Sequence, residues 1–582
     1  MYPVQYKLAL YAKKISSHSF WRSRENPLVA GILAIAMVIR IIDIFTRNFD
    51  SDEPQHLHVI WGWAHGYVQY RDIFDNHTPL FHMLFAPLFA LLPEWDGVIY
   101  VMRVAVLPLY LVTLMCTYLI GKTLFSHRTG LWAMVFLALY GRFFIKMLEF
   151  RTDDLWTALL TLGIYLMVRR PITVKSSFLI GVVFGAALAV SFKTMILLIA
   201  LAVSLPLVWA MAGSYSIPAL KQRLINFGYG IAGFLVIPTA LVVFFYCLNA
   251  IPEFYYGVIQ HNYLAHGNSA LDPGFTRDKH IIQFLLRMVA TCLFAWYIQG
   301  ITQDAEKRWK RLFVMATGMT YFTIIFAFWP IVTSQTQLPG VPLMIISLTP
   351  FLTGEYSFLD KILGRNSKLR AGLKVAPPIL LLTVIAITQL FMLTRESSMV
   401  GRLLYKDPQM WKDVLRYTDP GDYVMDAKGE SIFRKRPYFY GFETITRQLE
   451  ASGAIPDNSA ESLIAKPTYV VVAENFNRYP PKLQSFVHNN YLLEDTLYVA
   501  GKKLPDNPAG LNTPRDFSIA LPGRYAIISR EGRLVPGTLN GKFGTGVFDF
   551  QTGQQEFIAS SKITSLSVIW DKAWERGIRL PG

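Results

Sequence analysis

Repeated apolar runs of membrane-spanning length constrain this sequence more than any other feature. An α-helix needs roughly 20 predominantly apolar residues to cross the hydrocarbon core of a bilayer. About eleven segments approach that length, at 28–46, 98–121, 128–147, 154–169, 177–191, 194–212, 226–249, 282–301, 311–329, 338–353 and 375–394. The sequence therefore predicts a polytopic α-helical membrane protein with about eleven transmembrane helices.

The distribution of charge predicts how these helices are oriented. Only 16% of the 582 residues are charged, and the formal net charge is +16. Basic residues gather at the N-terminus and in the short loops of one membrane face, as the positive-inside rule requires of cytoplasmic loops. The positive excess therefore indicates topology, and no nucleic-acid partner is expected. The same alternation places the opposite loops, and the region after the last span, on the outer face.

The composition changes near residue 395, where long apolar runs give way to strand-like runs separated by Gly and Pro. Four of these runs, at 423–425, 468–473, 524–529 and 563–569, predict β-strands. We therefore expect a transmembrane part at 1–394 with interfacial helices in an outer loop at 47–97, an extracytoplasmic α/β region at 395–503, and a small β-rich region at 515–582. The three cysteines all fall in apolar runs and predict neither a disulfide framework nor a cysteine metal site.

Two adjacent carboxylates, Asp52 and Glu53, follow the first span in the first outer loop. Charged groups at the edge of a membrane are costly, which makes such a pair a candidate functional site. A structural interpretation is also open, since Asp52 can cap a helix that has Pro54 in its first turn. The pair alone does not separate these alternatives.

Further polar motifs lie in other outer loops. Asp75 and His77 precede an apolar helix that opens at Pro79, where a helix-capping turn is the structural alternative. Arg151 and Asp153 open the fourth span. Acidic residues there complement the helix dipole, but Arg151 lies on the outer face against the positive-inside bias.

Two outer cations are candidates to hold an anionic head group. Lys193 interrupts the longest apolar stretch, and Arg277 lies in a late outer loop. A snorkelling lysine and a solvated loop charge are the respective alternatives. His261 and Gln335 are candidates to bind sugar hydroxyls, although both also suit ordinary loops, and the histidine spacing is not typical of a metal site.

The combination of these motifs resembles the polyprenyl-phosphate-sugar-dependent glycosyltransferases of the C-type fold, over about residues 28–394. The similarity is greatest to the bacterial protein mannosyltransferase-like proteins, a branch that includes the lipid A aminoarabinose transferases. The aminoarabinose transferases typically have Asp-Lys-Pro-Pro where this chain has Asn-His-Thr-Pro, at 76–79. The identity of the sugar and of the acceptor is therefore left open.

The resemblance implies a sugar donor on polyprenyl phosphate and a lipid, glycan or protein acceptor, at the outer face of a bacterial inner membrane. A carboxylate of the first outer loop acts as general base on the acceptor hydroxyl, which here corresponds to Asp52 or Glu53. Adjacent helical residues do not share a face, so one of the two is expected to be the base and the other to orient or cap, with Asp52 the first choice. Asp75 and His77 correspond to positions near the acceptor.

The residue chemistry fits such a reaction independently of the resemblance. Cations near the leaving phosphate stabilise its developing charge. The candidates for this role are Lys193, Arg151 and Arg277. No glycine-rich phosphate loop is present, which agrees with a donor that carries no nucleotide. No cofactor is required, and a divalent metal is compatible with the chemistry.

Two other classes of protein would place charges among membrane spans. A transporter or flippase for a lipid-linked sugar should contain repeats with helices broken near the bilayer midplane, and no internal repeat is evident. A non-catalytic scaffold with an outer sugar-binding domain would not need acids from separate outer loops to converge. The gathering of polar groups on one face favours the enzyme.

Overall fold

The computed structural model describes residues 18–169, 172–212, 217–263, 305–328, 333–353, 376–396, 409–506 and 513–578. Helices make up the part before residue 396, and a mixed α/β part follows from residue 409. The first part contains α1 (His18–Thr46), α2 (Asp52–Ala64), α3 (Leu80–Phe89), α4 (Val98–Leu124), α5 (His127–Leu139), α6 (Gly141–Lys146), α7 (Thr152–Arg169), α8 (Val174–Val190), α9 (Thr194–Ala212), α10 (Ile217–Cys247), α11 (Ile251–Tyr255), α12 (Ala305–Phe328), α13 (Ser334–Gln337), α14 (Gly340–Leu352) and α15 (Ala376–Glu396).

These helices coincide with all the predicted spans that the structure describes, while the predicted span at 282–301 lies outside the described residues. Within the described residues, three helices are long and apolar enough to cross a membrane, at Glu25–Thr46, Val98–Leu124 and Leu220–Cys247. Several shorter apolar helices accompany them. The chain is a multi-pass membrane protein by this measure, and the count of eleven spans stays a prediction.

The outer loop at 47–97 carries two helices, as the sequence predicts. Its first helix, α2, is buried along most of its length, from Glu53 to Gly62. The two carboxylates in the first turn of α2 complement the positive end of the helix dipole. The second helix, α3, is short and apolar, and it packs against α2. The loop is therefore packed against the rest of the protein through α2.

The C-terminal part is built on two sheets. Its helices are α16 (Gln409–Tyr417), α17 (Thr444–Ala451), α18 (Ser459–Ala465), α19 (Pro481–Asn490) and α20 (Asp571–Glu575). Its strands are β1 (Val424–Met425), β2 (Val470–Val472), β3 (Tyr491–Glu494), β4 (Leu497–Lys503), β5 (Arg515–Ile519), β6 (Gly523–Ser529), β7 (Gly537–Leu539), β8 (Lys542–Gly544), β9 (Val547–Phe550), β10 (Gly553–Ala559) and β11 (Leu566–Trp570). Each of the four predicted strand regions contains a strand.

One sheet joins the two regions that composition separates. The order β1-β2-β4-β11-β6-β9, with β3 also on β4, makes seven strands, and the other sheet has the order β5-β10-β7-β8. Strand β11 pairs antiparallel with β4 on one side and with β6 on the other. Strands from 395–503 and from 515–582 therefore share a core, although residues 507–512 between these regions lie outside the described residues.

The loop that follows β1 attaches the C-terminal part to the outer loop of the membrane part. The backbone carbonyl of Ile432 lies 2.9 Å from Nδ1 of His58 in α2. Arg434 donates to Glu94 at 2.7 Å. Gly429 has a φ of +95°, and a Cβ atom there would lie 2.8 Å from the Cβ of His58. Glycine is therefore required at this point by both backbone conformation and close approach.

Replacing Gly429 by Ala is expected to weaken this attachment. Gly453 provides a matched control, because its φ is +75° but no atom lies within 4 Å of a Cβ built there. Both substitutions carry the backbone penalty of about 1–2 kcal/mol for a non-glycine residue in the left-handed region. Only Gly429→Ala adds the clash with His58, so limited proteolysis should release the C-terminal part faster in this variant than in Gly453→Ala. Equal release from both variants would contradict this contact.

Candidate active site

Glu53 has every described feature of a buried structural carboxylate. Its side chain is fully buried, and Arg103 of α4 donates to its two oxygens at 2.7 and 2.5 Å. The backbone N–H groups of Asp50 and Phe150 donate to it at 2.9 and 2.8 Å. The residue thereby ties α2 to α4 and to the connection between α6 and α7. Its oxygens are occupied and offer nothing to a substrate.

Asp52 faces a different environment. One third of its side chain is exposed, and Arg151 and Lys428 each form an ion pair with it. Lys428 comes from the C-terminal part and also donates to Ser51 at 3.1 Å. Burial raises the pKa of Asp52, but the attraction of Arg151 and Lys428 outweighs this and holds the pKa well below its usual range. Asp52 is thus an ionised, partly open carboxylate between two cations.

Helix capping does not explain Asp52. Ser51 occupies the N-cap position and its side chain makes no capping bond, while Asp52 is the first residue of α2. The backbone N–H of Asp52 donates to the Asp50 carboxylate, at 3.1 Å. A carboxylate does accept from a backbone N–H at the start of α2, but it is that of Asp50. The carboxylate of Asp52 pairs with Arg151 and Lys428 instead.

A network of alternating charges surrounds Asp52. Arg151 reaches Asp50 at 2.7 Å and Asp153 at 3.3 Å. Lys193 lies 3.2 Å from the other oxygen of Asp153, and Lys146 lies 3.0 Å from Asp50. These residues come from the first outer loop, from the stretch between the end of α6 and the first turn of α7, and from the α8–α9 turn. The structure thus brings together Asp50 and four predicted site residues from three separate segments, namely Asp52, Arg151, Asp153 and Lys193.

A second cluster holds Asp75 and His77. Asp75 is fully buried, and it accepts from Gln69 at 2.7 Å and pairs with Nδ1 of His77 at 2.9 Å. Nδ1 of His82 lies 3.5 Å from its other oxygen, and Nε2 of His82 lies 3.0 Å from Nδ1 of His56. Burial lowers the pKa of His82 to about 4 and that of His56 well below its usual value, so both are neutral at pH 7.

The two clusters adjoin each other. The charges of Arg151 and Asp52 both act on the pKa of His56. Within the described chain, Nε2 of His56 is buried without a hydrogen-bond partner. About a quarter of the His77 side chain is exposed, and its Nδ1 lies 2.9 Å from Asp75. The histidines therefore add polar nitrogens beside the charged network.

The remaining predicted residues lie elsewhere or outside the described chain. His261 is buried, and its Nε2 lies 3.1 Å from Glu443 of the C-terminal part. It contributes to the contact between the two parts of the protein. Gln335 is nearly buried in the short helix α13, which packs near α6. Arg277 falls outside the described residues. Roles for these three in substrate binding stay predictions.

The sequence interpretation missed Lys428, Arg103 and Asp50. Lys428 is 376 positions away from Asp52, and nothing in its local sequence marks it. Arg103 carries a signal that was available, since an arginine near the outer end of an apolar span requires a buried partner. Asp50 lies two residues before Asp52, and the sequence alone does not show that the two carboxylates have different partners.

The described residues contain no group of three or more His, Cys, Asp or Glu side chains arranged to hold a metal ion. The compatibility of the site with a divalent metal therefore stays a prediction.

Several solved structures are similar to this one over most of its length. ArnT from Cupriavidus metallidurans, in its apo crystal structure, is 12% identical with a TM-score of 0.52, and the match covers 82% of this chain and 98% of ArnT. ArnT bound to undecaprenyl phosphate gives a TM-score of 0.54 at 12% identity, with 81% and 98% covered. The chain has the ArnT fold. This confirms the C-type glycosyltransferase fold that the sequence resemblance implied.

A further match is the apo oligosaccharyltransferase of Archaeoglobus fulgidus, at 11% identity and a TM-score of 0.44, covering 90% of this chain and 76% of that one. The conclusion about the fold rests on the two ArnT structures. No protein-family model matches the sequence, and no curated protein matches it.

Substitution should separate the roles of the two adjacent carboxylates. Glu53→Gln removes one partner of a fully buried ion pair, which typically costs about 3–5 kcal/mol. Asp52→Asn removes a partly exposed carboxylate, but Arg151 keeps Asp50 and Asp153 as partners and the amide oxygen can still accept from Lys428, so we expect a smaller loss, of about 1–2 kcal/mol. Thermal unfolding of the purified proteins should therefore show a much larger drop for Glu53→Gln. A larger drop for Asp52→Asn would reverse the assignment.

Proposed function

We propose that this protein transfers a sugar, with inversion, from a polyprenyl-phosphate donor to an acceptor at the outer face of a bacterial inner membrane. The observation that carries the proposal is the partly open carboxylate of Asp52, held between cations in a chain with the ArnT fold. An ArnT crystal structure contains undecaprenyl phosphate, which is a lipid phosphate of the donor class. The C-terminal part would lie on the same, extracytoplasmic side as the site.

The cations of the network are suited to the leaving phosphate. Arg151 and Lys193 both contact Asp153, and about a quarter of the Lys193 side chain is exposed. Preorganised cations stabilise charge that develops on a leaving group, at no reorganisation cost during the reaction. In the resting protein the carboxylates balance these cations. A donor phosphate would compete for them.

Asp52 is the proposed general base. The acceptor oxygen bonds to the anomeric carbon, the bond from that carbon to the phosphate oxygen breaks, and its electron pair leaves with the polyprenyl phosphate. The proton of the acceptor hydroxyl passes to Asp52 and then to solvent. Because Arg151 and Lys428 hold the pKa of Asp52 low, the carboxylate is ready to accept but weakly basic. Withdrawal of one cation toward a substrate anion would strengthen the base.

The second cluster is suited to orient hydroxyl groups. His77 is fixed by buried Asp75, and His56 has a buried nitrogen with no partner in the described chain. Neutral imidazoles can accept from or donate to a sugar hydroxyl. We assign these two histidines to the positioning of sugar or acceptor beside Asp52.

The alternatives from the sequence predict other arrangements. A scaffold has no need for acids and cations from three segments to converge around one partly exposed carboxylate. A flippase for a lipid-linked sugar would bind the same donor but leave the glycosidic bond intact. Measuring cleavage of that bond therefore separates the enzyme from both alternatives.

Asp52→Asn should lower the rate of sugar transfer by about 100-fold or more, since general base catalysis typically contributes 10²–10⁴-fold. The assay uses purified protein in liposomes, a radiolabelled sugar on polyprenyl phosphate, and an outer-membrane and cell-wall extract as acceptor. Lys482→Gln, an exposed lysine paired with Glu461 away from the site, serves as control and should transfer at the wild-type rate.

Donor binding should survive in Asp52→Asn, because the phosphate-binding cations remain. Transfer at the wild-type rate by this folded variant would refute the proposed mechanism. If the wild-type protein moved the donor across the liposome membrane without cleaving it, the result would favour the flippase.

A further inference from the structure

A row of three buried side chains, from Asp75 through His82 to His56, leads to the helix that carries Asp52. All three side chains are fully buried. Nδ1 of His82 lies 3.5 Å from Oδ2 of Asp75, and Nε2 of His82 lies 3.0 Å from Nδ1 of His56. The other nitrogen of His56, Nε2, is buried and has no hydrogen-bond partner within the described chain. The row therefore ends on an unsatisfied polar atom.

Asp75 is an ionised carboxylate at the start of this row. Burial raises the pKa of Asp75, but the contact with His77 outweighs this and keeps the pKa below its usual value. The orientation of Gln69 agrees, because its Oε1 accepts from the indole N–H of Trp63 at 2.9 Å and its amide N–H group donates to Asp75 at 2.7 Å. An ionised carboxylate can only accept hydrogen bonds, so its neighbours must present protons to it.

This carboxylate determines the tautomer of His82. Burial lowers the pKa of His82 to about 4, so at pH 7 the imidazole is neutral and carries one ring proton. The negative charge 3.5 Å from Nδ1 favours the proton on that nitrogen, since a lone pair there would face the carboxylate oxygen. Nε2 of His82 is therefore the nitrogen with the lone pair, a tautomer assigned from its contacts.

The tautomer of His56 follows from that of His82. Only one proton lies between the two nitrogens at 3.0 Å, and Nε2 of His82 accepts it, so Nδ1 of His56 is the donor. Burial holds the pKa of His56 well below its usual value, so this ring is neutral as well. Its Nε2 consequently has a lone pair and can only accept. A buried acceptor without a partner costs free energy, which a donor from a ligand would recover.

His56 lies close to two groups with roles in the proposed reaction. Asp52 is four residues before His56 in α2, which places both on one face of the helix. The charges of Asp52 and Arg151 both act on the pKa of His56. In the proposed reaction Asp52 takes the acceptor proton and Arg151 stabilises the leaving phosphate. The transferred sugar is bonded to that phosphate and attacked by that acceptor, so it must lie beside both groups.

We propose that Nε2 of His56 accepts a hydrogen bond from a hydroxyl of the transferred sugar, and that His82 is the positioning residue that makes this nitrogen an acceptor. This inference rests on the proposed function and specifies the chemistry of its substrate at one atom. The group at His56 is an O–H donor, because a phosphate or carboxylate oxygen would set its own lone pairs against the nitrogen. The phosphate therefore belongs to the cations, and a sugar hydroxyl belongs to His56.

The test compares two substitutions of His82 in the full-length protein in liposomes, with a radiolabelled sugar on polyprenyl phosphate as donor. His82→Leu removes the acceptor for Nδ1 of His56, and kcat/KM for the donor should fall by about 10-fold or more, as loss of a buried hydrogen bond predicts. His82→Gln offers a carbonyl oxygen in its place and should restore most of this loss. His488→Leu removes an exposed histidine of α19 and should keep the wild-type value.

Solid-state NMR of the protein labelled with ¹⁵N,¹³C-histidine reads the tautomer without any activity. The signals of His56 are identified by their absence from His56→Gln. In the wild-type protein and in His82→Gln, the ring proton of His56 should be on Nδ1. In His82→Leu this preference should be lost.

A proton on Nε2 of His56 in the wild-type protein would overturn the proposal, and this holds even if His82→Leu does not fold. Wild-type kcat/KM in a folded His82→Leu would also overturn it. So would an equal loss in His82→Leu and His82→Gln, since that result means that His82 acts only through packing.

Failure here differs from failure of the proposed function. A wild-type protein that transfers no sugar refutes the reaction, and the sugar hydroxyl falls with it, while the NMR spectrum still decides whether His82 sets the tautomer. Wild-type transfer with any of the overturning results refutes the role of His82 and leaves the reaction intact.

Discussion

The cost of burying charge inside the protein determines how this site is built. Each ionised group there requires a partner, because an isolated charge in a low-dielectric environment is strongly destabilising. Glu53 and Arg103 meet this requirement completely, with both side chains fully buried and joined at 2.5 Å. Their pair fixes the start of α2 against α4. Asp52, the residue before Glu53, has its carboxylate on Arg151 and Lys428 instead.

Asp52 also has charged partners, but its own side chain is only partly buried. Its partners are Arg151, from the membrane part, and Lys428, from the C-terminal part. One third of its side chain remains exposed, and the proposed mechanism requires this opening for the acceptor. The proposed base therefore has partners from both parts of the protein, and the C-terminal part contributes to the site through Lys428.

The sequence predicted those features that depend on local pattern. Apolar runs located the helices. Polar residues in separate loops were also predicted as site residues, and the fold brings four of them together, namely Asp52, Arg151, Asp153 and Lys193. It did not separate Asp52 from Glu53, because their difference lies in Arg103 and in the backbone N–H of Phe150. It also did not predict Lys428, whose role depends on how two distant regions pack. The shared sheet of the C-terminal part was missed for the same reason, since β4 and β11 are paired only in the folded chain.

The most direct measurement is the pH dependence of kcat/KM for sugar transfer in the wild-type protein and in Lys428→Met. Lys428 and Arg151 hold the pKa of Asp52 well below its usual range, so its ionised form persists as pH falls. Removing one cation raises that pKa, and the acidic limb of the profile should move to higher pH by roughly one unit or more. A Lys482→Met control should keep the wild-type profile. An acidic limb at the same pH in Lys428→Met and in the wild-type protein would contradict the assignment of Asp52 as the base.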